Sequence, residues 1–322
     1  MADYCLRKIS TGSYLVTGGC GFIGSHIVEE LLLRGANRVR VLNNLSSGYL
    51  CNIDQFRDRV EFVEADVRDF QALLSAHRGV DYVFHEAALV SVPVSIEQPF
   101  DNHEINITGT LNVLEAAARC GVKRVVLASS ATIYGNSLEL PKNETMLPVA
   151  DSPYGIANVA KEHYGSIYSK LYNLSVVSLR YFNVFGPRQD PSSQYSGVIS
   201  RFVETFAAGE VPTILGDGKQ TRDFVFVKDV VQANLLAMHH PDIACNEVYN
   251  VATGHAVSLL ELLQTVNSLN GTDVKPNFGE ARPGDIRHSR ACIQKAKADL
   301  GYEPAFAIEE GLSDLLTWRQ SR

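Results

Sequence analysis

Ser13-Tyr14-Leu15-Val16-Thr17-Gly18-Gly19-Cys20-Gly21-Phe22-Ile23-Gly24 decides how this chain folds. It reads as a buried strand over 14–17, a tight glycine turn, and a helix over 22–33, with Ile23, Ile27, Leu31 and Leu32 near helical spacing. Gly18 permits the sharp turn. Gly21 removes a side chain where a phosphate approaches, and Gly24 lets the helix pack on the strand. The free amides that open a helix, together with its dipole, favour an anion. The anion expected here is the pyrophosphate of a dinucleotide; a glycine turn without a ligand is the plainer alternative. The spacing is Gly-x-x-Gly-x-x-Gly and gains weight from context. A second strand, over 39–42, follows the helix where a dinucleotide fold places its ribose-binding residue.

Strand and helix signals alternate onward from this unit. Strands are expected at 60–64, 81–85, 124–129 and 175–180, and helices at 70–76, 106–119 and 153–171. Such alternation implies an α/β fold, a doubly wound, parallel Rossmann-type sheet covered on both faces. Ligands then lie beyond the carboxyl ends of the strands, where Gly18, Asn43, Asp66, Ala87, Ser129 and Tyr181 gather. After Gln189 the pattern changes to helices at 198–208, 228–238, 258–269 and 308–318, with short strands at 213–215, 225–227 and 247–251. The expectation is a Rossmann domain over 1–189 and a smaller mixed α/β substrate lobe over 190–322, interleaved and closely packed. The cleft between them is the expected ligand site.

The 322 residues carry a net charge of −7, which gives no electrostatic support to nucleic-acid or membrane-surface binding. No stretch approaches the ~20 apolar residues of a membrane span, and the first residues lack the apolar run of a signal peptide. Six scattered cysteines without a Cys-x-x-Cys pair fit reduced thiols in a cytoplasmic protein. Nine histidines show no metal-ligand spacing, so no metal is expected.

Two segments carry candidate chemistry. One is Ala128-Ser129-Ser130-Ala131-Thr132-Ile133-Tyr134-Gly135 at a strand end; the other is Ser152-Pro153-Tyr154-Gly155-Ile156-Ala157-Asn158-Val159-Ala160-Lys161 at a helix start. With the glycine turn they resemble the extended short-chain dehydrogenase/reductase family, and within it the UDP-glucose and UDP-N-acetylglucosamine 4-epimerases. Further matches are His85-Glu86-Ala87-Ala88, Asn106-Ile107-Thr108-Gly109-Thr110, the run from Leu179 to Arg188, Gly216 to Phe224, and Arg282-Pro283-Gly284-Asp285. The resemblance covers nearly the whole chain.

The resemblance implies an NAD-dependent enzyme that inverts C4 of a UDP-hexose through a 4-keto sugar. Tyr154 would be the acid/base at the 4-hydroxyl, and Ser130 would hydrogen-bond the same oxygen. NAD would lie against Gly18, Gly21, Phe22, Ile23, Gly24, Asn43, Asn44, Ser46, Gly48, Asp66, Val67, Ala87, Ala88, Asn106, Ser129, Tyr154, Asn158 and Tyr181. Asn183, Arg222, Arg282 and Asp285 would hold the UDP; arginine's planar fork suits a pyrophosphate. Ser289 would set pocket width, a small residue there resembling enzymes that accept N-acetyl sugars. The family also implies a homodimer. Ala131 and Thr132 carry no carboxyl where the 4,6-dehydratases and UDP-glucuronate decarboxylases have one, so elimination or decarboxylation lacks its acid–base groups.

The chain departs from the family at two positions. The second strand ends in Asn43 rather than aspartate, which removes the charge that repels a 2′-phosphate; NAD over NADP is expected, with a reduced preference. The family Tyr-x-x-x-Lys reads Tyr154-x-x-x-Asn158 here. Without a nearby cation, a tyrosine of pKa near 10 is about one part in a thousand ionised at pH 7. The loss is expected to cost about two to three orders of magnitude in rate. Lys161 lies two turns from Tyr154, about 10 Å along the axis, and is not expected to substitute for the lysine. Two readings stay open: a 4-epimerase, and an NAD-binding relative with little or no catalysis.

Overall fold

The computed structural model describes residues 12–190, 197–241, 246–281 and 286–320. The strands β1 (Ser13–Thr17), β2 (Arg38–Asn43), β3 (Val60–Glu64), β4 (Tyr82–His85), β5 (Arg124–Ser130) and β6 (Ser175–Tyr181) form one parallel sheet. A seventh strand, Glu247–Val251, joins the β6 edge, and the order is seventh strand, β6, β5, β4, β1, β2, β3. The chain builds outward from β1 to β3, then returns to lay β4 on the other side of β1. This reversal opens a crevice at the carboxyl ends of β1 and β4. Leu15, Val16, Val125, Val126 and Leu127 are fully buried, as expected for strands covered on both faces.

Two helices set the site. α1 (Phe22–Leu33) begins directly after the glycine turn. A Cβ on Gly24 would collide with the Gly18 carbonyl, so this crossing needs glycine. The Pro153–Leu171 helix is started by Ser152, whose hydroxyl accepts from the Gly155 amide at 3.1 Å, with Pro153 in the first turn where no donor is needed. Tyr154, Asn158, Lys161, Gly165 and Tyr168 line its buried face, the alternating three- and four-residue spacing of one helical side. Gly165 lies tight against Val176 and Leu127 of the sheet.

The smaller lobe packs the helices Val198–Ala207, Leu259–Asn270 and Ile308–Gln320 around Phe185, Phe202, Phe226, Leu262 and Leu312. The strand over 247–251, expected in this lobe, instead pairs Asn250 with Arg180 in the large sheet. Tyr249 and Val251 are buried there. The helix expected over 106–119 starts earlier, as a wide turn over Glu104–Thr108, and follows two helices not anticipated, Val92–Glu97 and Pro99–His103. Their prolines sit in first turns, where the missing donor costs nothing.

Candidate active site

The glycine turn offers backbone donors and nothing else. α1 has Gly21 as its N-cap, no side-chain cap and no acidic residue in its first turn. The Phe22, Ile23 and Gly24 amides therefore face the crevice as a donor set for an anion. A Cβ on Gly21 would meet only the Gly18 carbonyl, at 3.0 Å, so the space beside it is open to a close ligand. These residues fit a dinucleotide pyrophosphate. Gly18 itself sits at φ +71°, and a Cβ there would lie 2.7 Å from the Ala87 nitrogen; the β1 and β4 ends thus touch backbone to backbone.

Beyond β2, the side chains bind one another. Asn43 is buried and its Oδ1 accepts from the Leu45 amide at 2.7 Å. Asn44 accepts from the Ser46 amide and hydroxyl and donates to Asp66 at 2.8 Å. The Arg68 guanidinium holds Asp66 down to about 2, so this carboxyl is ionised beside the β2 end. Gly48 leaves room for the Asn43 amide, which a Cβ would meet at 2.8 Å. Val67 is buried beneath.

Asn106 clamps the loop after β4. It accepts from the Leu89 amide at 2.8 Å and donates to the Leu89 carbonyl at 3.0 Å. That fixes the Ala87–Ala88 segment against the glycine turn. His85 bonds Thr17 and Thr110, and burial keeps it neutral. The side chain of Glu86 accepts from the Tyr181 hydroxyl at 2.9 Å, and burial of its carboxyl pushes it up to about 7. Tyr181 is held in turn by Asn234. Sequence reading missed Glu86 and Asn234 as parts of the site, since neither stands in a spacing that marks it.

At the end of β5, Ser129 donates to Glu162 at 2.6 Å, and Ser130 caps the next turn by accepting from the Thr132 amide at 3.2 Å. Glu162 is also paired with Arg180 at 2.7 Å. The structure brings Tyr154 against Ser130 and Asn158. Burial raises the phenol above its ordinary range, hydrogen bonding to Asn158 and Ser130 opposes this, and the Glu86 charge adds to the rise. Asn158 donates to the Tyr154 carbonyl at 2.9 Å. Lys161 is buried; desolvation lowers it to about 8, against the Glu86 and Glu162 charges.

In the smaller lobe Asn183 is exposed and its strand pairs with Phe224–Phe226. Ser289 donates its amide to Thr221 at 3.1 Å, which sets it beside Arg222. Asp223, next after Arg222, is fully buried and accepts from Thr253, Gly254 and Ala291 at 2.7 to 3.1 Å. It ties three segments together under this surface, a role no local pattern announces. Arg282 and Asp285 lie outside the described residues.

A switch-point crevice, a bare helix start and a buried tyrosine beside a strand-end serine define an extended short-chain dehydrogenase/reductase. Residues 14–252 match the NAD dependent epimerase/dehydratase family, and the chain belongs to it. It is 38% identical to the UDP-glucose 4-epimerase of Mycolicibacterium smegmatis, over 93% of this chain and 96% of that one. Among solved structures it is similar to Thermus thermophilus UDP-glucose 4-epimerase in complex with NAD, at 39% identity and TM-score 0.86, covering 96% of this chain and 100% of that one. It is also similar to UDP-N-acetylglucosamine 4-epimerase from Methanobrevibacter ruminantium in complex with UDP-N-acetylmuramic acid, at 36% identity and TM-score 0.92, covering 96% and 98%. Among the described residues no helix is long and apolar enough to cross a membrane.

Proposed function

We propose that this protein is an NAD-dependent 4-epimerase of UDP-hexoses, with UDP-glucose/UDP-galactose or the N-acetyl pair as substrates. The observation that carries the reading is the Tyr154 phenol, buried against Ser130 at the strand ends that face the bare start of α1. Tyr154 takes the proton from the sugar 4-hydroxyl and later returns it. Ser130 hydrogen-bonds the same oxygen and holds it in line. When bound, NAD would supply a reversible acceptor for the C4 hydride at this site, beside the Tyr154 and Ser130 side chains. The Phe22, Ile23 and Gly24 amides hold the pyrophosphate, and Asn106 keeps the Ala87–Ala88 wall in place. Asn183, Arg222, Arg282 and Asp285 hold the UDP, and Ser289 beside Arg222 leaves width for an N-acetyl group. A homodimer is supported by the exposed apolar residues Phe100, Ile156, Ile167 and Leu171 on neighbouring helices.

The test is a coupled epimerase assay on both UDP-sugar pairs, beside Tyr154→Phe. Turnover is expected in the parent, with a loss of about 10²–10⁴-fold in the variant and unchanged NAD content. No turnover of any UDP-hexose by the NAD-loaded parent sinks the reading.

A further inference from the structure

Two arms of chain flank the bare start of α1, and their anchors bracket the Phe22, Ile23 and Gly24 amides. The first arm leaves β2 and runs past the glycine turn. Tyr49 donates its amide to the Cys20 carbonyl at 3.0 Å, and Asn52 Nδ2 donates to the same oxygen at 3.0 Å. Gly48 lies so close that a Cβ would stand 2.9 Å from the Cys20 carbonyl carbon. The second arm, 186–190, seats on α1 just beyond those amides. His26 bonds the Pro187 carbonyl at 2.9 Å, and the Arg188 guanidinium donates to Glu29 at 2.5 Å and to Ser25 at 3.5 Å. Gln189 ties the other side of this arm: its Nε2 donates to the Val184 carbonyl at 3.3 Å, and its Oε1 accepts from the Ser200 hydroxyl at 2.7 Å.

The two arms are joined at their tips. The Tyr49 hydroxyl donates to Asp190 Oδ2 at 2.8 Å, between residues 141 apart in sequence. The second arm is held under strain to reach this point. Arg188 has φ +67°, the left-handed region that a residue with a Cβ adopts at a cost. Such strain persists where the surroundings hold it, and it gathers at ligand clamps. The plainer reading is a surface hydrogen bond that only tethers two loops. Against it, the contacts close a ring through Cys20, Tyr49, Asp190, Arg188 and Ser25, and the remaining side of that ring is the stretch that carries the donor amides.

We propose that the Tyr49–Asp190 bond is a clasp across the pyrophosphate end of the NAD crevice, and that it limits how fast the cofactor enters and leaves. Both partners of the bond belong to the protein, so it acts as a barrier and not as a cofactor contact. Breaking it speeds entry and release together and leaves the affinity nearly unchanged, whereas losing a direct contact speeds release alone. A sugar oxidised at C4 has to find the same cofactor in place when it is reduced again. That reason for a clasp rests on the epimerase reading; the effect on NAD exchange does not.

The test is exchange of bound NAD for labelled NAD, with calorimetry for the dissociation constant, on the parent, Tyr49→Phe, Asp190→Ala and the double variant. Tyr49 is half-exposed, and its replacement by phenylalanine removes one oxygen. Release is expected to rise about tenfold in each single variant, since the acceptor is a carboxylate, with the dissociation constant within about threefold of the parent's. The double variant is expected to release NAD no faster than the singles, because each removes the same bond. A folded Tyr49→Phe that exchanges NAD at the parent's rate overturns the proposal; Asp190→Ala stands in if that variant does not fold. Faster release matched by an equal loss of affinity also overturns it, by making Tyr49 a cofactor contact. A parent without epimerase activity sinks the functional reading alone, because the exchange rates still decide this one.

Discussion

The start of α1 and the buried face of the Pro153–Leu171 helix look at each other across the same strand ends, and they treat charge in opposite ways. The α1 side has no ionisable side chain at its cap or in its first turn and offers amides alone. The Tyr154 side gathers Lys161, Glu86, Glu162 and Arg180 in its interior. A pyrophosphate carries a permanent charge, so fixed dipoles suffice and closeness is everything. A proton has to arrive and leave, so its partners are groups whose own charge can be set by their surroundings. One side should therefore fail when volume is added, and the other when charge is altered.

The largest effect expected is on the first side. Gly18→Ala places a methyl 2.7 Å from the Ala87 nitrogen at φ +71°, where both partners are backbone and cannot yield. The left-handed conformation costs about 1–2 kcal/mol and overpacking about 1–3 kcal/mol. Affinity for NAD should fall about a hundredfold or more. Gly35→Ala is the control: it has φ +83° but nothing within 4 Å, so it should lose about 1 kcal/mol of stability and keep its NAD affinity. Calorimetry with both variants checks this, and Gly18→Ala binding NAD like the parent breaks the comparison.

A mid-sized effect lies in acid. His26 is the buried ionisable group of α1, bonded to the Pro187 carbonyl at 2.9 Å. Burial, and then the Arg188 charge, lower it to about 3 from 6.5. Between those values the unfolded chain binds a proton that the folded one refuses, so stability falls as pH drops below about 6.5. His26→Gln keeps a donor for Pro187 without this linkage. Urea unfolding at pH 7 and at about pH 4.5 should show the parent losing about 3 kcal/mol more than the variant. Lys161 acts with the same sign in a more alkaline window. Its pKa is lowered to about 8, so its contribution makes stability rise with pH from there to the ordinary lysine value. Equal acid losses in parent and His26→Gln would show that the α1 side is not where acid acts.

What the sequence disclosed follows the same division. The glycine turn, strand order and helix faces are local periodicities, and β1, α1 and the Pro153–Leu171 helix lie where residue types alone place them. The Glu247–Val251 strand was legible as a strand, but its seat beside β6 depends on pairing with Asn250 opposite Arg180, seventy residues of chain apart. Tyr154 and Ser130 were legible from motif. Glu86, Asn234 and Asp223 were not, because their partners come from distant segments. The hydrogen bonds of Asn158 to the Tyr154 carbonyl and of Lys161 to Asn158 depend on side-chain reach, which axial rise alone does not give.

The smallest effect concerns the one place where the α1 side could have used a charge. Asn43 ends β2 with its Oδ1 taken by the Leu45 amide, so it supports the loop as much as it offers an acceptor to a ribose. Asp66 still carries a negative charge at the neighbouring strand end, although Arg68 and Asn44 engage both its oxygens. A 2′-phosphate entering here would meet a partly neutralised field, from which a modest advantage of NAD over NADP is expected. Asn43→Asp can accept from Leu45 in the same geometry and adds one full charge. At an effective dielectric of about 20, one charge a few ångströms from a phosphate amounts to a few kcal/mol before screening. The ratio of NADP to NAD dissociation constants, measured by calorimetry at fixed ionic strength, should therefore widen by about tenfold. NAD itself should change by less than about threefold. If the ratio stays put, the β2 end contributes no charge discrimination, and cofactor choice rests on the backbone cradle and on Asp66.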